Sequence, residues 1–498
     1  MPALPLRFPL LAAALPHGAR PLSPAPHADP ASTPGSSRFS GEADFLDAIG
    51  QPRRSRSAAD LASRETAIAR HRIVIVGGGA GGLELAARLG DSVGRDGAAE
   101  IILVDAALTH VWKPLLHEVA AGTLGSQENE LDFLQQARDH HFRFHLGRLE
   151  SLERAHRSIW LAPLVDDDGM EVAPRRPLAY DTLVIAVGAV DNDFGTPGAR
   201  EHAISLNNAD EARRFHRRLL ALCARAEMTT GEPVHIAIVG GGATGVELAA
   251  ELTGAAGEIA SYGRELRRLG LPLRISLIEA GDRLLASVPQ GLGRKAGEDL
   301  AARGVDIRVQ AKVAEVCADS VLLKGGERIA ADLVVWAAGV QGPEVLEKLD
   351  GLVTNDRRQL LVRPTLQTTV DDDIFAFGDC ASCTPGPDDK PVPPKAQAAQ
   401  QQALLLTRSL QRRLAGKPPL RFSYRDHGTI VSMGPEQALG EVRTAHGRRY
   451  VLRGIRARFG YWLLYRRHLA VLVGAARTVL VTVGHWLTRR AHPRVKLH

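Results

Sequence analysis

Two α/β domains, each founded on a parallel sheet, are what this sequence predicts, and three observations predict them. A β-branched run, Arg72-Ile73-Val74-Ile75-Val76, enters a glycine-rich loop, then a helical stretch from Leu83 to Leu89, then a strand from Glu100 that closes on Asp105. The same order returns as His235 to Val239, Gly240 to Gly245, Val246 to Leu252, and Arg274 to Glu279. Three further apolar runs end in glycine: Leu183 to Gly188, Leu333 to Gly339, and Ile374 to Gly378. Short apolar runs joined through helices are the mark of parallel strands buried on both faces.

Residues 1–66 are rich in Pro, Ala, Ser and Arg without lasting periodicity, so a disordered extension is expected there. The apolar run Phe8 to Leu15 follows a single Arg and is interrupted by Pro9, a poor match to a secretory signal. Order is expected from His71. The repeated units place a first nucleotide-binding domain at 67–195, a second at 196–330 and the return of the first at 331–414. In that return a Pro-rich loop after Asp379 precedes a helix from Lys395 to Leu414. A C-terminal region fills 415–498.

The two glycine loops carry the chemistry. In each G-x-G-x-x-G the first glycine makes the turn from strand to helix. The second lets the backbone approach a pyrophosphate, and the third lets helix pack on strand. The helix N-terminus then offers free N–H groups to phosphate. These positions are Gly77, Gly79 and Gly82 in the first unit, with Asp105 as ribose acceptor. In the second they are Gly240, Gly242 and Gly245, with Glu279. Two Rossmann-like sites imply two dinucleotides, FAD at the first and NAD(P) at the second. Asp379 suits the ribityl chain of FAD. Glu279 would repel a 2′-phosphate and so favours NADH, while Arg283 keeps NADPH open.

The four cysteines exclude some chemistries. They stand at 223, 317, 380 and 383, too few and too uneven for a disulfide framework. None lies between His71 and Leu222, where a disulfide reductase or a sulfide-oxidising enzyme of this architecture needs one. Cys380 and Cys383 follow Asp379 directly and read as inert, and no metal site is expected.

Charge singles out the tail. The net charge is +6, yet Arg421 to His498 holds 15 Lys and Arg against three acids, leaving the rest of the chain at −6. The stretch His468 to Leu487 is 20 residues of mostly Leu, Val and Ala, with Arg477 at its middle. A spanning helix does not tolerate that arginine well. On a helical wheel Arg467, Gly474, Thr478, His485 and Arg489 fall along one line, opposite Leu469, Val471, Leu472, Leu480 and Val483. An amphipathic helix lying in the interface of an anionic membrane is expected, with basic residues on both sides of it. Nucleic acid has no use for so long an apolar helix.

At this point the motifs resemble a known family. The run VDAALTHVWKPLLHEVAAGTL (104–124) is joined by GGGATGVELAAEL (240–252) and LVVWAAGV (333–340). PTLQTTVDDDIFAFGDCASC (364–383) and PPKAQAAQQ (393–401) complete the set. Together they look like a bacterial type II NADH dehydrogenase, over all but the first 66 or so residues. The resemblance implies a single-subunit, non-pumping NADH:quinone oxidoreductase with noncovalent FAD, peripheral on the cytoplasmic side of the inner membrane. It implies that Gln397 and Gln401 are the glutamines of the family's A-Q-x-A-x-Q quinone motif. It also implies that Glu247 stands beside nicotinamide and flavin, and that Lys113 lies near the flavin. Ala399 is counted with the FAD site and Gly339 with the NADH site. The residues agree: Gln397 and Gln401 are i, i+4 on one helical face, small alanines beside them leave room for a flat ring, and amides donate to a carbonyl without placing charge in an apolar slot. His117 and Glu118 are assigned no catalytic role. A homodimer is compatible with these features and not required by them.

Two other readings use the same pair of sites. One is a soluble NAD(P)H-dependent reductase of a ferredoxin-like partner, which needs no lipophilic tail. The other is a flavin-binding sensor or scaffold without turnover. NADH oxidation with a short-chain quinone against an iron–sulfur acceptor separates them.

Overall fold

A computed structural model describes residues 70–488 apart from 126–129, 167, 231, 262, 264–267, 269–271, 387–388, 436 and 445–446. The expected N-terminal extension and the basic residues Arg489, Arg490, Arg494 and Lys496 lie outside the described residues.

β1 (His71–Val76) turns into α1 (Ala80–Leu89), and β2 (Ala99–Asp105) runs parallel to it with Val76 opposite Val104. After α2 (Leu116–Ala121), β3 (Arg143–Leu146) flanks β2 and β4 (Thr182–Ile185) flanks the far side of β1. Val74 and Ile75 of β1 and Leu183, Val184 and Ile185 of β4 are fully buried, as strands covered on both faces must be. The chain then builds a second layer set: β5 (Ala203–Ser205), α3 (Ala209–Arg225), β6 (Val234–Val239), α4 (Ala243–Ser261), β7 (Leu273–Ile278), α5 (Gln290–Ala302), β8 (Asp306–Arg308) and β9 (Leu333–Trp336). Its five strands are all parallel, in the order β5-β9-β6-β7-β8. β10 (Ile374–Ala376) returns to complete the first sheet, all parallel in the order β10-β4-β1-β2-β3. α6 (Ala396–Leu414) then packs on α1.

Two sequence expectations need correction. The boundary expected at 330 falls too early, because β9 belongs to the second sheet, between β5 and β6. The chain leaves the first sheet at Val190–Asp191 and returns at Val340–Gln341, and these two segments pair antiparallel. The crossing is therefore a two-stranded ribbon, a long-range pairing that local pattern does not reveal.

The second correction concerns the tail. β11 (Gly428–Ser432), β12 (Ala438–Arg443) and β13 (Arg449–Arg453) form an antiparallel sheet ahead of α7 (Ile455–Val473) and α8 (Ala475–Thr488). The single helix expected over His468 to Leu487 is broken at Gly474, which adopts φ +82°. The break separates the expected apolar face. Leu469 and Leu472 are buried on the core, whereas Leu480 and Val483 on α8 are exposed. Arg477, placed in the sequence at the middle of a lipid-facing helix, instead pairs with Asp139 at 2.8 Å. Among the described residues no helix is long and apolar enough to cross a membrane.

Candidate active site

The two glycine loops are built alike. Gly77 sits at φ +107° and Gly240 at φ +114°, left-handed turns in which a Cβ would also strike the backbone of Ala186 and Ala337. A Cβ on Gly82 would overlap the carbonyl of Gly77, and one on Gly245 that of Gly240, so helix and strand meet without side chains between them. Gly79 and Gly242 differ: an added Cβ at either meets nothing within 4 Å. The backbone is open to a ligand at the position where a pyrophosphate must approach.

The acids repeat the match. Asp105 accepts from the Gly78 N–H at 2.6 Å and the Ala107 N–H at 2.8 Å. Glu279 accepts from the Gly241 N–H at 2.7 Å and the Gly281 N–H at 2.6 Å. Each carboxylate is thus anchored at the mouth of its loop, with lone pairs remaining for a ribose diol. Burial raises the Asp105 carboxyl above its ordinary value, offset by the Gly78 and Ala107 hydrogen bonds. Arg283 spans back to the carbonyls of Leu285, Ala286 and Val288. Those bonds commit its guanidinium to the loop after β7.

Asp379 lies beyond β10, with Gln402 accepting from the neighbouring Gly378 N–H at 2.9 Å. Burial raises its carboxyl, and the nearby Lys113 cation works against that. Lys113 itself donates to the Ala189 carbonyl at 2.9 Å. Ala399 is half-buried on α6, with its Cβ against Gly378 and Gly81. The structure therefore gathers Gly77, Gly79, Asp105, Lys113, Asp379 and Ala399 around the C-terminal edge of the first sheet. Gly240, Gly242, Glu279 and Gly339 take the same edge of the second.

Glu247 is 7% exposed on α4, and its Oε1 accepts from the Ser432 N–H at 2.9 Å. Burial pushes its carboxyl up to about 8, helped by the negative charges of Glu118 and Glu251 and opposed by the Ser432 bond and Arg458. Glu251, one turn on, is raised for the same first reason and accepts from Thr123 Oγ1 at 2.6 Å. His117 places Nδ1 3.8 Å from Glu247 and is held neutral by burial, its value lowered to about 3. Arg458 of α7 reaches Glu118 at 3.6 Å and Ser432 Oγ at 3.1 Å. Three buried acids thus share one arginine where α2, α4, β11 and α7 meet. Sequence pattern gives His117 and Glu118 no role and does not single out Glu251 or Ser432; Arg458, expected among the arginines that face anionic lipid ahead of the amphipathic helix, instead turns inward to Glu118 and Ser432. One signal is available: Glu247 and Glu251 are i, i+4 in the stretch Val246 to Leu252, whose other residues are Val, Leu and Ala, so two acids share a face with apolar neighbours.

Gln397 and Gln401 do lie one turn apart, and both face the segment before β11. Gln397 donates to the Gly428 carbonyl at 2.9 Å and accepts from the His427 N–H at 3.0 Å. Gln401 donates to the Arg425 carbonyl at 2.8 Å and accepts from the Arg425 N–H at 3.0 Å. Both amides clamp that segment onto α6, a pairing across 24 to 31 positions that the local helical pattern does not reveal. Cys380 and Cys383 are buried, and burial raises their thiols to about 12 and about 11. Neither forms a thiolate near neutral pH.

The family model for pyridine nucleotide-disulphide oxidoreductases matches residues 71–403. The chain is 40% identical over 443 residues to the type II NADH:quinone oxidoreductase of Haemophilus influenzae, covering 86% of this chain and 99% of that protein. It is 27% identical to the type II NADH:quinone oxidoreductase of Staphylococcus aureus over 382 residues, 75% of this chain and 90% of the other. Among solved structures it is similar in fold to NDH2 from Plasmodium falciparum in complex with NADH. The TM-score is 0.72 at 18% identity, covering 86% of this chain and all of that one.

Proposed function

The chain belongs to the type II NADH:quinone oxidoreductases, within the pyridine nucleotide-disulphide oxidoreductase family, and on that premise we propose how its residues divide the reaction. It oxidises NADH and reduces quinone. The first glycine loop, with Asp105, Lys113 and Asp379, holds noncovalent FAD. The open Gly79 and the raised, buried Asp379 carboxyl fit that group. Bound there, FAD supplies the two-electron chemistry, accepting hydride and passing electrons on to quinone.

The second loop holds NADH. Glu279 takes the ribose diol and repels a 2′-phosphate, and Arg283, committed to backbone carbonyls, does not compensate that repulsion. Quinone approaches along α6, between the Gln397 and Gln401 turns and α7. Its reduction consumes two electrons and two protons. Glu247 is suited to the proton side: with its carboxyl pushed up to about 8 it is mostly protonated at pH 7 and able to donate. Lys113 places a positive charge beside Asp379 and would offset negative charge gained where FAD would be held.

Attachment to one membrane face runs through the tail. Ile455 and Phe459 on α7 are 80% and 61% exposed, and Leu480 and Leu487 on α8 are 72% and 64% exposed. Arg449, Arg453, Arg456 and Arg467 are exposed on β13 and α7. Exposed large apolar residues among arginines suit the headgroup region of an anionic leaflet. We assign that leaflet to the cytoplasmic side of the inner membrane.

The observation that carries this assignment is the paired construction of the two loops, each open at its middle glycine with an acid clamped beside it. The test is stopped-flow kinetics on detergent-purified protein, following flavin reduction by NADH and reoxidation by a short-chain quinone separately. Glu247→Gln should leave reduction intact and slow reoxidation by roughly a hundredfold, the scale of one lost general acid. Equal slowing of both halves, or of neither, removes Glu247 from the proton side.

A further inference from the structure

His110 and His468 are 4% and 1% exposed, and two imidazoles so deeply buried need partners for every ring nitrogen. They have them. His110 Nδ1 lies 2.9 Å from the Gly78 carbonyl, inside the first glycine loop. His110 Nε2 lies 3.1 Å from His468 Nε2, and His468 Nδ1 lies 3.3 Å from Gln400 Nε2 on α6. Trp112 covers the His468 ring, with centroids 4.0 Å apart.

One assignment of protons satisfies this chain. The Gly78 carbonyl only accepts, so His110 carries its proton on Nδ1 and its Nε2 accepts. His468 must then carry its proton on Nε2 and donate to His110. That leaves His468 Nδ1 to accept from the Gln400 amide. Both rings are neutral, and every bond runs in one direction, from α6 through α7 to the loop.

We propose that His468 is a positioning residue for quinone reduction, holding Gln400 and the first turns of α6 in fixed relation to the flavin loop through His110. The proposal rests on the assignment of α6 to the quinone side. Docking of α7 does not require the histidine pair, because Tyr465, Leu469, Trp112 and Leu115 already form an apolar cluster there. What the pair adds is direction. Gln397 and Gln401 are tied to the segment 425–428 on one side of α6, and Gln400 is tied to α7 on another. The helix is thereby clamped from both sides where quinone is to lie. Beside the apolar packing of Ala396 on the Tyr465 and Leu469 cluster, the His468 imidazole gives α7 a directional link to Gln400.

The test uses full-length, flavin-loaded protein in detergent. His468→Phe keeps the stacking on Trp112 and removes both hydrogen bonds. Flavin reduction by NADH should stay within twofold of wild type, and reoxidation by a short-chain quinone should slow about tenfold, the scale of one buried hydrogen bond. Gln400→Leu, at a half-buried position, should show the same split, and the double variant should lose no more than either alone. His468→Asn, whose amide oxygen can stand where Nδ1 accepts, should recover most of the rate. Wild-type reoxidation in His468→Phe, equal slowing of both halves, or effects of the two single variants that multiply would overturn the inference alone. Unimpaired quinone reoxidation in Gln401→Leu would overturn the assignment of α6 and this inference with it.

Discussion

Replacing Glu247 with glutamine should stabilise the protein, and increasingly so as pH rises. The carboxyl is buried at the meeting of α2, α4, β11 and α7, and its value moves from an ordinary 4.5 to about 8. Folding therefore favours the protonated acid by about 5 kcal/mol. Because the folded value lies above the unfolded one, the acid's contribution to stability is whole below about pH 4.5 and is lost as pH rises through about 8. At pH 7 about 3 kcal/mol of it is gone, and at pH 9 about 5. Glutamine has the same shape, can still accept from the Ser432 N–H, and never ionises, so it loses none of this. The chain has 498 residues, and at about 2.1 cal/mol/K per residue 1 kcal/mol shifts the melting temperature by about 1 °C. Glu247→Gln should thus melt about 3 °C above wild type at pH 7 and about 5 °C above it at pH 9, with the gap closing toward pH 4.5. Differential scanning fluorimetry in detergent at a series of pH values measures this. A gap that does not change with pH, or a variant that is less stable at pH 9, refutes the argument from burial.

Further outcomes follow from the same structure. Gly79→Val should fold and lose flavin, because an added Cβ meets nothing in the protein yet occupies the approach of the pyrophosphate; Gly82→Val should fail to fold, since its Cβ overlaps the Gly77 carbonyl. Absorbance at 450 nm against circular dichroism separates the two. Glu279→Ser should move coenzyme preference toward NADPH by about tenfold in kcat/KM, roughly the value of one charged contact. Steady-state kinetics with both coenzymes decides it. Treatment with iodoacetamide at pH 8 should leave turnover unchanged, as burial holds the Cys380 and Cys383 thiols protonated. Truncation after Gly474 removes α8 and the basic residues that follow it in the sequence, and should weaken sedimentation with anionic vesicles while keeping flavin and quinone turnover. Truncation after Gly454 also removes Arg458 and His468 and should leave a protein that oxidises NADH with soluble acceptors but is slow with quinone.

Much of the fold was legible because its signals are local. A β-branched run, a glycine loop and a helix that opens on small residues lie within about twenty residues of one another, and each states its own geometry. Gly77, Gly79, Gly82 and Asp105, and their counterparts Gly240, Gly242, Gly245 and Glu279, could be picked out for that reason. The tail was half legible. Its charge and apolar content were plain, but a helical wheel assumes one continuous axis, and Gly474 at φ +82° breaks that axis.

By itself the sequence determined two parallel α/β units, the two glycine loops with their acids, the shared helical face of Gln397 and Gln401, and a basic, apolar end. Only the tertiary structure decided which segments meet. It assigned β9 to the second sheet and spent the Gln397 and Gln401 amides on the segment 425–428. It brought Glu118, Glu247, Glu251 and Arg458 into one buried cluster, and joined Gly78, His110, His468 and Gln400 in one chain of hydrogen bonds. The reason is physical. A strand or a turn is set by neighbours a few residues away, whereas the ionisation of Glu247 and the tautomer of His468 are set by burial and by partners as many as 358 positions distant in the chain, from His110 to His468.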